Sequence, residues 1–162
     1  PAASFLAMNG DGVYQRRPPR LELFANTEPF YFVTFNTYRR MPVLANEQVF
    51  QAFCLFCRRG NEKHDVKVGR FVIMPDHVHL FVWIPQSGST LGSWVKALKS
   101  VLGKTLTELD VLKPYWQDGF FDHVLRQQES YDEKWEYVRL NPMRGGLVQN
   151  SEDWPWQGEG FL

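Results

Sequence analysis

Apolar residues recur along this chain in two periods, and the switches between them outline the fold. Phe30 to Tyr38, FYFVTFNTY, is dense in aromatic and β-branched side chains and predicts a first strand. From Glu47 to Glu62 the spacing becomes helical, with Val49, Phe50, Phe53, Cys54 and Cys57 on one face behind an Asn46 cap, and Gly60-Asn61 begins its end. Alternation returns over Val66 to Met74 and Asp76 to Ile84. The Pro75-Asp76 break predicts a tight antiparallel pair. Thr90 caps a second helix, Leu91 to Leu109, whose stripe of Leu91, Trp94, Val95, Leu98, Val101, Leu102 and Leu106 leaves Lys96, Lys99 and Lys104 off it. Phe121 to Leu125 suits a short fourth strand. Ser130 with Glu133 reads as a capping box for a last helix, Tyr131 to about Leu140, which Asn141-Pro142 ends.

The order β-α-β-β-α-β-α predicts an α+β fold, a ferredoxin-like or RRM-like antiparallel sheet with a C-terminal helix added. Residues 1–28, with Gly10-Asp11-Gly12 and Arg16-Arg17-Pro18-Pro19-Arg20, read as an arm. Residues 29–149 read as one domain. Residues 150–162, with two Trp around a Pro, read as a tail docked on the surface rather than extending a core element.

Composition narrows the class. Among 162 residues, 44% are hydrophobic and 15% aromatic, which requires a folded globule. No apolar run reaches membrane-spanning length. Cys54 and Cys57 make one CxxC on a helix face, with no second pair, so they read as core residues. No basic segment precedes PAASFLAM, so no signal peptide is read, and a cytoplasmic location is expected. Net charge is zero, but residues 1–104 hold 13 Lys/Arg against seven acids, so a basic face toward a polyanion is compatible with neutrality.

One stretch breaks the alternation. In Phe71 to Pro85, FVIMPDHVHLFVWIP, His77 and His79 share a strand face while Val78, Leu80, Val82 and Ile84 share the other. Read alone, the pair fits a metal site or two half-exposed histidines at a sheet edge. On the last helix, Tyr131, Trp135 and Val138 form a core stripe. Tyr137 and Asn141, spaced i, i+4, present a phenol and an amide together on a different face.

Three blocks, MPDHVHLFVWIP from Met74, WQDGFFDHVLR from Trp116 and YVRLNPMRGGLV from Tyr137, together with the DWPW tail, resemble the single-tyrosine transposases of the HUH class. They look most like the REP-associated tyrosine transposases, and the resemblance runs from about Phe30 to Trp156. It implies that His77, His79 and Asn141 hold Mg²⁺ or Mn²⁺, where insertion-sequence relatives commonly have Gln in place of Asn141. It implies that Tyr137 is the nucleophile, cutting single-stranded hairpin DNA of repetitive extragenic palindromes through a 5′-phosphotyrosine. Arg39, Arg40, Lys96 and Lys99 are expected on the DNA backbone, and His123 is expected to be structural. A monomer is favoured over a homodimer. A non-catalytic RRM-like nucleic-acid binder is the alternative. A histidine-triad hydrolase would need a third histidine where Phe81 stands. A zinc hydrolase using His77, His79 and His123 lacks a carboxylate base.

Overall fold

The computed structural model describes residues 30–125 and 128–160, so the arm expected over residues 1–28 lies outside them. Its elements are β1 (Phe30–Asn36), α1 (Glu47–His64), β2 (Lys67–Ile73), β3 (His77–Trp83), α2 (Leu91–Glu108), β4 (Phe121–Leu125), α3 (Gln128–Arg139), a one-turn α4 (Asn141–Arg144) and β5 (Gln157–Glu159). The strands form one sheet, ordered β4-β1-β3-β2-β5, with every neighbouring pair antiparallel. The expected α+β plan of β-α-β-β-α-β with a further helix is present.

Strand alternation sorts the side chains into two cores. On one face Val33, Phe35, Phe71, Ile73, Val78, Leu80 and Val82 pack against α1 and α2, through residues such as Phe53, Cys57, Leu98 and Leu102. On the other, Phe30, Phe32, Val72, Phe81 and Trp83 pack under α3 through Tyr131 and Val138. Cys54 and Cys57 are buried free thiols in the first core. Burial pushes Cys54 up to about 12 and Cys57 well above its usual value, so both behave as small hydrophobes.

A bulge fixes α3. Register across β2 and β3 shifts between Val68 and Phe71, so Gly69 and Arg70 together oppose one residue, Phe81. The Arg70 N–H donates instead to the Tyr131 hydroxyl at 3.0 Å. A Cβ on Gly69 would lie 2.6 Å from that oxygen, so the close approach requires glycine. The guanidinium of Arg70 then lies over Trp135 at 5.3 Å and bonds Glu159 at 2.8 Å, joining bulge, helix and tail.

Four local expectations differ. Helix α1 continues through Gly60 and stops at Asp65 in the left-handed region. Gly60 serves packing, since its Cβ position lies 3.7 Å from Trp94 Nε1 and 3.9 Å from Val66. Helix α3 begins at Gln128, so Ser130 lies inside it rather than capping it. Pro142 does not end the helical path; it occupies the first turn of α4, where its missing N–H costs nothing. The tail goes beyond surface docking, because β5 adds an edge strand to β2 and Trp154 donates from Nε1 to the buried Ile73 carbonyl at 3.0 Å.

Candidate active site

The β2–β3 turn, Pro75-Asp76, delivers the chain into β3 at His77. Register with β1 sets Asn36 opposite His77 and Thr34 opposite His79, all on the face that α3 covers farther along. The two imidazole rings lie 4.7 Å apart, edge to face. Each ring is oriented through Nδ1. His77 Nδ1–H donates to Asp76 Oδ1 at 2.6 Å. The carboxylate can only accept, which assigns the proton to Nδ1 and leaves a lone pair on Nε2. At His79, Nδ1 lies 2.7 Å from Thr34 Oγ1, a hydroxyl that can donate or accept; with Nδ1–H as the donor, Nε2 again keeps its lone pair. Phe32 stacks on the His79 ring at 5.6 Å.

Both histidines are held neutral. Burial lowers the His77 pKa, against the hydrogen bond and charge of Asp76. Burial pushes His79 down to about 3, aided by His77, Arg40 and Lys134 and opposed by Asp76. Neutral imidazoles with oriented rings are the form that binds metal ions, and a partner on the far nitrogen is the usual support for such ligands.

Arg40 belongs to this cluster. Tyr38–Arg40 is a tight turn in which Arg39 and Arg40 both have left-handed backbone, at φ 50° and 57°. The buried Thr37 ties the turn down, its single Oγ1 proton shared between the carbonyls of Met41 (2.8 Å) and Asp76 (3.0 Å). Arg40 Nε then meets Asp76 Oδ2 at 2.8 Å, and its NH1 donates to Asn36. The expected backbone cation therefore braces the carboxylate that orients His77. Arg39 is exposed, its guanidinium 5.1 Å from the Tyr38 ring.

The other predicted residues separate. Tyr137 is 61% exposed, with the Arg144 guanidinium 4.6 Å from its ring and Arg144 NH1 donating to its carbonyl. Asn141 is half-buried, and its Nδ2 donates to the Val138 carbonyl at 3.0 Å. No hydrogen bond joins Tyr137 or Asn141 to either histidine among the described residues. They reach the histidine side of the sheet through α3, whose Tyr131 ring lies 4.3 Å from that of Phe81. Lys96 and Lys99 stand on α2, across the sheet. There a cleft of about 670 Å³ opens between α2 and the loop before β4. Lys99 Nζ donates to the carbonyls of Gln117 and Gly119, so it pins that loop, and burial lowers its pKa. His123 is exposed on β4, opposite Phe32.

Sequence reasoning did not assign the orienting partners Asp76 and Thr34, or Lys134. Asp76 had a local signal, being adjacent to His77. Thr34 is the polar residue inside an aromatic strand, but its partner is 45 residues away. Lys134 lies with its Nζ 5.2 Å from the Phe32 ring.

The donor set fits a divalent ion: two neutral imidazoles with unengaged Nε2 atoms on one face. No cluster of three His, Cys, Asp or Glu gathers among the described residues.

Comparison with known proteins places this geometry. The family described as "Transposase IS200 like" matches residues 29–140. The REP-associated tyrosine transposase of Escherichia coli K12 is 25% identical over 126 residues, covering 78% of this chain and 73% of that protein. A solved REP-associated tyrosine transposase bound to a REP hairpin aligns with a TM-score of 0.64 at 23% identity, over 88% of this chain and 79% of that one. A further structure, from Deinococcus radiodurans R1, gives 0.51 at 17% identity, over 76% and 95% of the two chains. These two likenesses concern the fold. Because the family match runs from the start of β1 past the end of α3, the chain belongs to the IS200-like transposases.

Proposed function

We propose that this chain cuts and rejoins single-stranded DNA that carries a hairpin, with Tyr137 as nucleophile. The observation that carries the reading is the His77/His79 pair, each ring oriented through Nδ1, on the sheet face against which the Tyr137-bearing helix packs. The hairpin is drawn from the similar REP-associated transposase solved with a REP hairpin.

His77 and His79 would hold Mg²⁺ or Mn²⁺ through Nε2, with the amide oxygen of Asn141 as a third protein ligand. When bound, such an ion polarises the phosphodiester and offsets the charge that builds on its oxygens. The exposed phenol of Tyr137 attacks phosphorus as its proton passes to solvent. A Tyr137–phosphorus bond forms and the bond to the 3′-oxygen breaks, and that oxygen leaves protonated as a free 3′-OH. The 5′-phosphotyrosine conserves one phosphodiester bond, so a 3′-OH from another strand can reverse the step and join DNA without ATP. Asp76, Thr34 and Arg40 keep both rings turned the right way throughout. Of the four cations expected on the DNA backbone, Arg39 and Lys96 would contribute to binding, while Arg40 is engaged by Asp76 and Lys99 by the carbonyls of Gln117 and Gly119.

The test is a denaturing gel after incubation of the protein with a labelled hairpin oligonucleotide and Mn²⁺. A band shifted by covalent attachment is expected. It disappears with chelator and with Tyr137→Phe, which loses at least ~10³-fold of the activity. An adduct that forms equally well in Tyr137→Phe overturns the nucleophile assignment. Binding that resists chelation and yields no adduct leaves only a non-catalytic binder.

A further inference from the structure

Helix α3 carries a cation to the histidine face. Lys134 Nζ lies 5.2 Å from the centre of the Phe32 ring, and Phe32 stacks on His79. The lysine is half-buried. Arg40 is answered by Asp76, Arg70 by Glu159, and Arg139 by Glu136 and Glu152, while Arg144 lies over the Tyr137 ring at 4.6 Å and donates to the Tyr137 carbonyl. Lys134 forms no ion pair among the described residues, and its one close partner is an aromatic face. A cation–π contact holds an ammonium in place without neutralising it.

That placement works against the metal. An ammonium on the Phe32 ring that stacks on His79 repels a divalent cation held on that imidazole, and the low dielectric of the half-buried site sharpens the repulsion. The conflict disappears once an anion arrives between them. Tyr137 lies three residues beyond Lys134 on α3, one turn along the same side, and Asn141 follows at the start of α4; Lys134 stands at the end beside Phe32, the ring stacked on His79. An anion held by Lys134 and by an ion on the histidines would sit beside the helix face that presents the phenol.

We infer that Lys134 is a catalytic residue whose ammonium holds a non-bridging oxygen of the scissile phosphate between the His77/His79 pair and Tyr137. It donates a hydrogen bond to the phosphate and transfers no proton. The lysine stabilises the phosphate more as negative charge builds on its oxygens, so its effect falls on the rate more than on DNA affinity. The inference rests on the nuclease reading for its phosphate, but not for the repulsion between Lys134 and the ion.

Two measurements on the full chain test it, with Lys134→Met, which keeps an unbranched stem over Phe32, and Lys134→Arg, which keeps the charge. In the first, Mn²⁺ is titrated into DNA-free protein and free Mn²⁺ is counted by electron paramagnetic resonance. The Met variant binds Mn²⁺ several-fold more tightly than wild type, and the Arg variant matches wild type. In the second, adduct formation on a labelled hairpin oligonucleotide is followed in a single turnover with saturating Mn²⁺. The Met variant slows by about 10²-fold with DNA affinity little changed, and Arg restores most of the rate. Tighter metal with slower chemistry is a pair of opposite signs that a merely structural lysine would not produce. A Met variant with wild-type rate overturns the inference and leaves the nuclease reading standing. If wild type itself forms no adduct, the nuclease reading falls, and the Mn²⁺ titration decides alone: tighter binding by Lys134→Met supports the placement at the ion, and unchanged binding overturns it.

Discussion

The two faces of β3 are built from the same seven residues and do different work. Val78, Leu80 and Val82 are fully buried against α1 and α2. One residue along, His77, His79, Phe81 and Trp83 face the other way, and that face is itself divided. Phe81 and Trp83 join the core under α3, while His77 and His79 remain half-buried beside Thr34 and Asn36. A period of two lets one strand contribute a dry surface for stability and a polar surface for chemistry without either compromising the other. The neighbouring strands keep the same division: Val33 and Phe35 of β1 look into the first core, while Thr34 between them orients His79.

The sharpest way to break this comparison is to truncate neighbours. Leu80→Ala removes a fully buried side chain and is expected to cost about 2–5 kcal/mol. Its folded fraction should still bind Mn²⁺ normally. His79→Ala, one residue away, should abolish measurable Mn²⁺ binding while shifting the urea midpoint far less. If His79→Ala proves as destabilising as Leu80→Ala and leaves Mn²⁺ binding intact, the division of the strand is wrong.

A smaller effect separates ligand from support. Asp76→Asn and Thr34→Val leave both imidazoles in place but weaken the bonds that orient them, at 2.6 and 2.7 Å. Each should weaken Mn²⁺ binding by about 10- to 100-fold, the usual scale for groups that hold a ligand rather than the ion. Calorimetric titration reads this directly. Unchanged affinity in both would mean that ring packing, Phe32 on His79 and His79 against His77, holds the imidazoles without these bonds.

These partners also mark where reading the chain runs out. His77 and His79 stand out because two polar rings interrupt an apolar alternation, and alternation is visible locally. Thr34 meets His79 only through the β1–β3 register, which no window of sequence contains. Lys99 reads as an off-stripe, solvated lysine, yet a loop near residue 117 folds over it and takes its ammonium onto two carbonyls. The tail fails for a related reason. Gln157–Glu159 has little strand character of its own, and it becomes β5 because β2 offers an unpaired edge and Trp154 has a buried carbonyl to reach. Elements whose apolar face is written into their own period, such as β3 and α2, were legible. Elements defined by what another segment presents were not.

The finest contrast lies between two tyrosines six residues apart on α3. Tyr131 is 4% exposed and Tyr137 is 61% exposed, so the same helix sends one phenol into the core and the other into solvent. The Tyr131 hydroxyl accepts the N–H that the β2 bulge leaves out of the β2–β3 ladder. Tyr131→Phe keeps the ring against Phe81 and Phe30 and removes that acceptor. The expected cost is about 1 kcal/mol, rising toward 3 if no water reaches the Arg70 N–H. Chemical denaturation should show this as a shifted midpoint at unchanged slope. Adduct formation should persist in the folded protein, because the ring contacts that dock α3 remain. Loss of the adduct in Tyr131→Phe with stability intact would exchange the roles of the two tyrosines. Loss of both together would mean that the bulge hydrogen bond, more than the aromatic packing, sets where α3 holds Tyr137.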